Sequence, residues 1–194
     1  MPAWVKPDHL TAVGVVGAAC VLLGYALSAG HPGYLWLAVL GFILNWFGDS
    51  LDGTLARYRK HERPRYGFFI DHMVDVLDEM MMFLGIGLSP YADFRIAACT
   101  LISYMALSIL VYVNMIVNQE FRLSSARIGP TEVRVVGIAA SIALFLFHGP
   151  ALTAPVAGTF TWLDIVLALI ALVFLTLTAW ESRRIGTGLA KLEP

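Results

Sequence analysis

Cysteine is scarce in this sequence, with only Cys20 and Cys99, and charged residues make up only 14% of the 194 positions. Both cysteines fall inside long apolar stretches, where a small thiol packs as an apolar side chain, so a disulfide framework and a thiolate metal site are excluded. There is no internal repeat, low-complexity tract or soluble linker, and the length leaves room for one domain, expected over 1–194. Against this scarcity of charge stand 58% hydrophobic residues and a mean hydropathy of +0.73, outside the soluble globular range. The chain is built for lipid, and no nucleic-acid partner is expected.

A helix needs about 20 apolar residues to cross a bilayer. Six stretches qualify, at 10–29, 34–57, 67–88, 94–117, 131–147 and 161–180, so the expected fold class is an all-α integral membrane protein with six transmembrane helices. The segment before the first stretch carries only Lys6, and the stretch is long for a signal-peptide core, so it is expected to remain as a helix.

Basic residues are absent from one side of this scheme except for Arg95. The other 12 of the 13, namely Lys6, Arg57, Arg59, Lys60, Arg63, Arg65, Arg122, Arg127, Arg134, Arg183, Arg184 and Lys191, share the opposite side. The positive-inside rule then places both termini and the loops 58–66 and 118–130 in the cytoplasm. The far-side connections 30–33, 89–93 and 149–158 read as turns, and Glu181–Pro194 reads as a polar tail.

Ionisable groups within a span cost about 2.5–3.5 kcal/mol each on insertion scales, so they persist where they face a polar interior or serve a task. Spans two and three carry six: Asp49, Asp52, Asp71, Asp75, Asp78 and Glu79. On a helix Asp49, Asp52 and Ala56 form one stripe and Asp71, Asp75 and Asp78 another. A short loop makes the two helices antiparallel neighbours whose stripes can face each other. Four converging carboxylates would repel or take up protons unless compensated, and hard cations such as Mg²⁺, Mn²⁺ or Ca²⁺ prefer such oxygen donors. With His72 as the nearby nitrogen donor and no cysteine close, zinc and iron suit the set less well. Asp78, Glu79 and Asp164, taken singly, read as interfacial acids. Met80, Met81 and Met82 read as adaptable packing, and Trp4, Trp162 and Trp180 as interfacial anchors.

In order, Asp49-Ser-Leu-Asp52-Gly53-Thr-Leu-Ala56-Arg57 and Gly67-Phe-Phe-Ile-Asp71-His-Met-Val-Asp75 closely resemble the signature of the CDP-alcohol phosphotransferase family, D-x-x-D-G-x-x-A-R then G-x-x-x-D-x-x-x-D. All eight defined positions match. The spacer, Tyr58 to Tyr66, has nine residues against the usual eight, and Pro7-Asp8-His9-Leu10-Thr11 is similar to the P-N-x-L-T opening of many relatives, with Asp for Asn.

The resemblance implies transfer of a substituted phosphate from a CDP-linked donor to an alcohol hydroxyl, with release of CMP, in phospholipid biosynthesis. It implies a two-metal site of Mg²⁺ or Mn²⁺ held by Asp49, Asp52, Asp71 and Asp75, with Asp75 as general base. Asp52, Gly53, Ala56, Arg57 and Gly67 would take the CDP moiety. The family's compact bacterial-type size favours a CDP-diacylglycerol donor, with a CDP-aminoalcohol acting on a lipid alcohol as the alternative. It also suggests a homodimer and a cytoplasmic membrane with the site near its inner face. Arg122, Arg127, Glu132 and Arg134, around the start of span five, are candidates for binding the acceptor, or for ordinary headgroup anchoring. Divalent cation transport is the competing class, since intramembrane acids also mark ion paths. Gly53, Ala56, Arg57 and Gly67 have no obvious use in such a path.

Overall fold

The computed structural model describes residues 1–118, 130–147 and 160–191, without side chains at Pro130 and Glu132. Among the described residues there are six long helices: α1 (Pro7–Leu27), α2 (Leu35–Tyr58), α3 (Pro64–Leu88), α4 (Phe94–Asn118), α5 (Pro130–Leu146) and α6 (Trp162–Leu189). A single 3-10 turn, Pro32–Tyr34, precedes α2, its start capped by His31 Nδ1, which accepts from Gly33 N at 3.0 Å. The helices fall where hydrophobic runs predicted them.

Four segments are long and apolar enough to cross a membrane: α1, the 3-10 turn with α2, α4 and α6. Helix α3 is long enough at 25 residues, but its acids lower its hydropathy, and α5 is short at 17 residues.

Three boundaries differ from the sequence reading by three residues or more, the first being the start of α1 at Pro7 rather than 10. Helix α3 starts at Pro64 rather than 67, because Pro suits the first helical turn, and Gly67 N already bonds Arg63 O at 2.7 Å. Helix α6 runs through the expected polar tail to Leu189, helped by the Glu181–Arg184 pair at 3.1 Å one turn apart. Loss of hydropathy marks where a span leaves lipid, and the helix continues past that point.

Helix α1 packs on α2 and α3, α2 on α5, and α4 on both α3 and α6. The α1–α2 contact is backbone against backbone. A Cβ on Gly41 would lie 2.6 Å from Gly17 O, and one on Gly48 only 2.5 Å from Gly14 N and Leu10 O. Small residues at three- and four-residue spacing on both helices make this approach possible, which suits a lipid setting where close packing drives association. Tyr25, Val21, Ala38 and Phe42 fill the core beside it, and Tyr25 hydroxyl bonds Ser141 Oγ of α5 at 2.9 Å.

At the opposite end from the α2–α3 turn, Asp164 is buried and structural. Its Oδ2 accepts from Thr161 N at 2.8 Å in a capping box, and its Oδ1 accepts from Asp93 N at 2.6 Å. Thr100 hydroxyl adds a bond to Leu167 O at 3.1 Å, joining α4 to α6. Outward faces of α2, α4 and α6 expose Trp36, Ile43, Ile102, Ile109, Leu169 and Leu172, as a lipid-facing surface does.

Candidate active site

The α2–α3 turn brings the two acidic stripes together. Lys60 adopts a left-handed φ of 54° just after α2, ending that helix and reversing the chain into α3. The preceding Arg59 straps down the N-terminal segment, donating to the carbonyls of Val5 and of Pro2, the latter at 2.7 Å. Arg63 pairs with Asp8 and stacks over Tyr66 at 4.1 Å. The start of α1 is thereby drawn over the ends of α2 and α3.

A groove of about 250 Å³ opens there, and its walls include Thr11, Asp52, Gly53, Ala56, Arg57, Gly67 and Asp71. Six of the eight signature positions thus line one cavity. Gly67 faces open space, since a Cβ on it would meet nothing within 4 Å. Arg57 folds back toward Gly53, donating to Thr54 Oγ1 at 3.3 Å, and sits exposed at the groove wall.

Deeper between the helices lies a small cavity of about 10 Å³, lined by Thr11, Gly14, Asp49, Asp52, Asp71, Val74 and Asp78. Such a volume suits one water or one small ion. Asp52 is held on both oxygens: Thr11 hydroxyl donates to Oδ2 at 2.8 Å, and Gly53 N lies 2.5 Å from Oδ1. Asp78 is buried at 3% exposure; Asn45 Nδ2 donates to its Oδ2 at 2.5 Å, and its buried Oδ1 has no hydrogen-bond partner. The acid read from sequence as interfacial is therefore part of the cluster.

Arg134 comes from α5 and turns inward. Only 5% exposed, it donates from Nε to Asn45 Oδ1 and from Nη1 to Asp49 Oδ2, both at 2.6 Å, and its Nη2 lies 4.0 Å from Asp75 Oδ1. Of the other acceptor candidates, Arg122 and Arg127 lie outside the described residues, as does the side chain of Glu132. His72 sits at the edge of the cluster: its Nδ1 lies 2.8 Å from Phe68 O and 3.8 Å from Asp71 Oδ2, and its ring stacks at 4.0 Å on Phe68 and meets Tyr112 at 5.0 Å.

The donor set is all oxygen, on facing helices around a shared cavity, and carries a buried carboxylate oxygen without a partner. This chemistry fits a hard divalent cation. As the side chains stand, no three His, Cys, Asp or Glu residues among those described form a group that could hold a metal ion. Asp49 and Asp52 are instead engaged by Arg134 and Thr11.

Sequence reasoning missed Asn45 as a hub, although a polar residue one turn before Asp49 on the same stripe was a usable signal. Thr11 was visible only through the opening motif.

A family model described as CDP-alcohol phosphatidyltransferase matches residues 4–179. Among curated proteins, the chain is 34% identical over 86 residues to a phosphatidylinositol phosphate synthase of Cutibacterium acnes, covering 44% of this chain and 39% of that protein. It is 39% identical over 77 residues to a ceramide phosphoethanolamine synthase of Drosophila melanogaster, covering 37% of this chain and 19% of that protein. The chain therefore spans well under half the length of either relative. No solved structure matches it significantly. With the family model spanning most of the chain and six of the eight signature residues gathered at one groove, this protein belongs to the CDP-alcohol phosphatidyltransferase family.

Proposed function

We propose that the chain transfers a substituted phosphate from a CDP-linked donor to an alcohol hydroxyl and releases CMP, as part of phospholipid biosynthesis. The observation that carries this reading is the shared groove lined by Asp52, Gly53, Ala56, Arg57, Gly67 and Asp71. Side chains that could crowd it are absent at Gly53 and Gly67, which leaves room for a nucleotide, and Arg57 supplies a guanidinium for a phosphate. All four signature aspartates, Asp49, Asp52, Asp71 and Asp75, would hold Mg²⁺ or Mn²⁺. Such ions supply charge neutralisation at the breaking pyrophosphate bond and on the attacking and leaving oxygens.

In the transfer, a bond forms between the acceptor oxygen and the phosphorus of the transferred group, and the pyrophosphate bond to CMP breaks. An Asp75 carboxylate oxygen takes the hydroxyl proton, a role suited to a partly buried carboxylate with 25% of its side chain exposed. Thr11 and Gly53 N fix Asp52 in place for this task. Arg122, Arg127 and Glu132 precede or open α5 in sequence and are assigned to the acceptor; Arg134 faces the aspartates.

A phosphatidyl group from CDP-diacylglycerol is the transferred unit we favour, in keeping with the relative named for phosphatidylinositol phosphate. The relative named for ceramide phosphoethanolamine supports a second reading, transfer of an aminoalcohol phosphate to a lipid alcohol. The basic side chains Lys6, Arg57, Arg59, Lys60, Arg63 and Arg65 cluster at the groove end of the molecule, which argues for a site at the cytoplasmic face of a multi-pass membrane protein with both termini inside.

A panel assay tests the reading. Purified protein with Mg²⁺ or Mn²⁺ is given labelled CDP-diacylglycerol or CDP-ethanolamine and a set of alcohols, and CMP and lipid products are scored. CMP formed with one donor class supports it; no CMP with any pair, alongside metal flux in liposomes, would replace it by transport.

A further inference from the structure

We propose that Arg134 is a built-in counter-cation, holding the aspartate cluster together when it is empty and yielding Asp49 when a divalent cation binds. The inference rests on the reading that the signature aspartates hold such an ion.

Six acids lie on α2 and α3 around the site: Asp49, Asp52, Asp71, Asp75, Asp78 and Glu79. Among the described residues, two basic side chains approach them: His72 Nδ1 lies 3.8 Å from Asp71, and the guanidinium of Arg134 bonds Asp49 at 2.6 Å and lies 4.0 Å from Asp75. Its attachment is a fork rather than a single contact. Nε reaches Asn45 Oδ1, and since a guanidinium has donors only, the Asn45 amide must present its oxygen to Arg134 and its NH₂ to Asp78 and Gly14 O. One cation from α5 therefore sets the orientation of Asn45 and bonds Asp49 directly, while Asn45 in turn reaches Asp78.

Asp49 is the shared element. A guanidinium at hydrogen-bond distance from that carboxylate and a divalent ion bound by it repel each other, so each weakens the other's hold. Because the partners lie 85 residues apart in sequence, α5 is linked to the state of the α2–α3 site. Ion binding would shift α5, the helix that follows the segment assigned to the acceptor. Removing a buried charge from such a pair leaves its partner uncompensated, so loss of Arg134 should weaken the metal-free protein. The same loss should strengthen metal binding. A merely structural arginine gives only the first effect.

The test uses the full chain in detergent, with Mn²⁺ binding read from the free-ion electron paramagnetic resonance signal and thermal midpoints taken in chelator and in saturating Mn²⁺. Arg134→Gln is expected to lower the midpoint in chelator, bind Mn²⁺ about tenfold more tightly, and approach the wild-type midpoint once Mn²⁺ is saturating. Unchanged or weaker Mn²⁺ binding, with equal loss of stability in both conditions, would overturn the proposal and leave the metal reading standing. Wild-type protein that binds no Mn²⁺ would overturn both. If the glutamine variant cannot be purified, Arg134→Lys decides: it keeps a charge but lacks the fork. Its Mn²⁺ affinity should exceed that of wild type, and an affinity no higher than wild type counts against the counter-cation.

Discussion

Thr11 of α1 donates its hydroxyl hydrogen to Asp52 of α2 at 2.8 Å, a contact between the first helix and the second signature aspartate. It joins the N-terminal Pro7–Thr11 segment to the groove lined by the signature residues.

Thr11→Val keeps the shape of the side chain and removes this hydrogen bond. A hydrogen bond to a charged group contributes about 1.5–3 kcal/mol, so kcat/KM should fall by about tenfold to a hundredfold. Measured CMP release should show the drop, and because the same bond ties α1 to α2 the thermal midpoint should fall as well. An unaffected rate would detach Thr11 from the site.

Glycines divide into two kinds. Gly41→Ala should destabilise the protein by about 1–3 kcal/mol through overpacking, because the new Cβ meets Gly17 O at 2.6 Å and Val21 N at 2.7 Å. Gly67→Ala meets nothing within 4 Å and should leave stability equal or raised by up to about 1 kcal/mol. It should, however, raise the KM for the CDP donor by narrowing the groove. Denaturant or thermal unfolding beside steady-state kinetics separates the two, and the groove assignment is lost if Gly67→Ala leaves KM untouched.

Asp75→Asn preserves size and removes the base. Turnover should fall by about 10²–10⁴-fold, with donor and Mn²⁺ binding largely retained in equilibrium measurements. Full activity in this variant would remove Asp75 from proton transfer.

On the far side, the Asp93 carboxyl is pulled from 3.8 down to about 2, first by the hydrogen bond from the Arg95 side chain and next by that from its backbone N–H. A depressed native value stabilises the fold above the ordinary value, and that stabilisation is lost as pH falls through the native one. Its loss therefore belongs to the window between 3.8 and about 2. Asp93→Asn should lower stability at pH 6–8, with the difference from wild type shrinking away as pH falls through that window, so that the variant's acid limb is flatter. Arg95→Gln should act the same way. A difference that stays the same from pH 7 down to pH 2 would argue against this pairing.

The six helices, the two acidic stripes and the groove-forming signature were all legible in the chain itself. Hydrophobic length and three- or four-residue spacing are local properties, and the signature occupies two consecutive helices joined by a short turn. The inward turn of Arg134, the role of Asn45 between it and Asp78, the Thr11–Asp52 bond and the capping role of Asp164 were not. Spacing could show that Asp78 shares a face with Asp71 and Asp75, but nothing local shows which other helix covers that face. Partners 85 residues apart meet only after α5 docks on α2, and that docking depends on close backbone approach and buried polar pairing across the whole bundle. Sequence alone therefore determined which charges enter the membrane region; tertiary packing decided which of them neutralise one another.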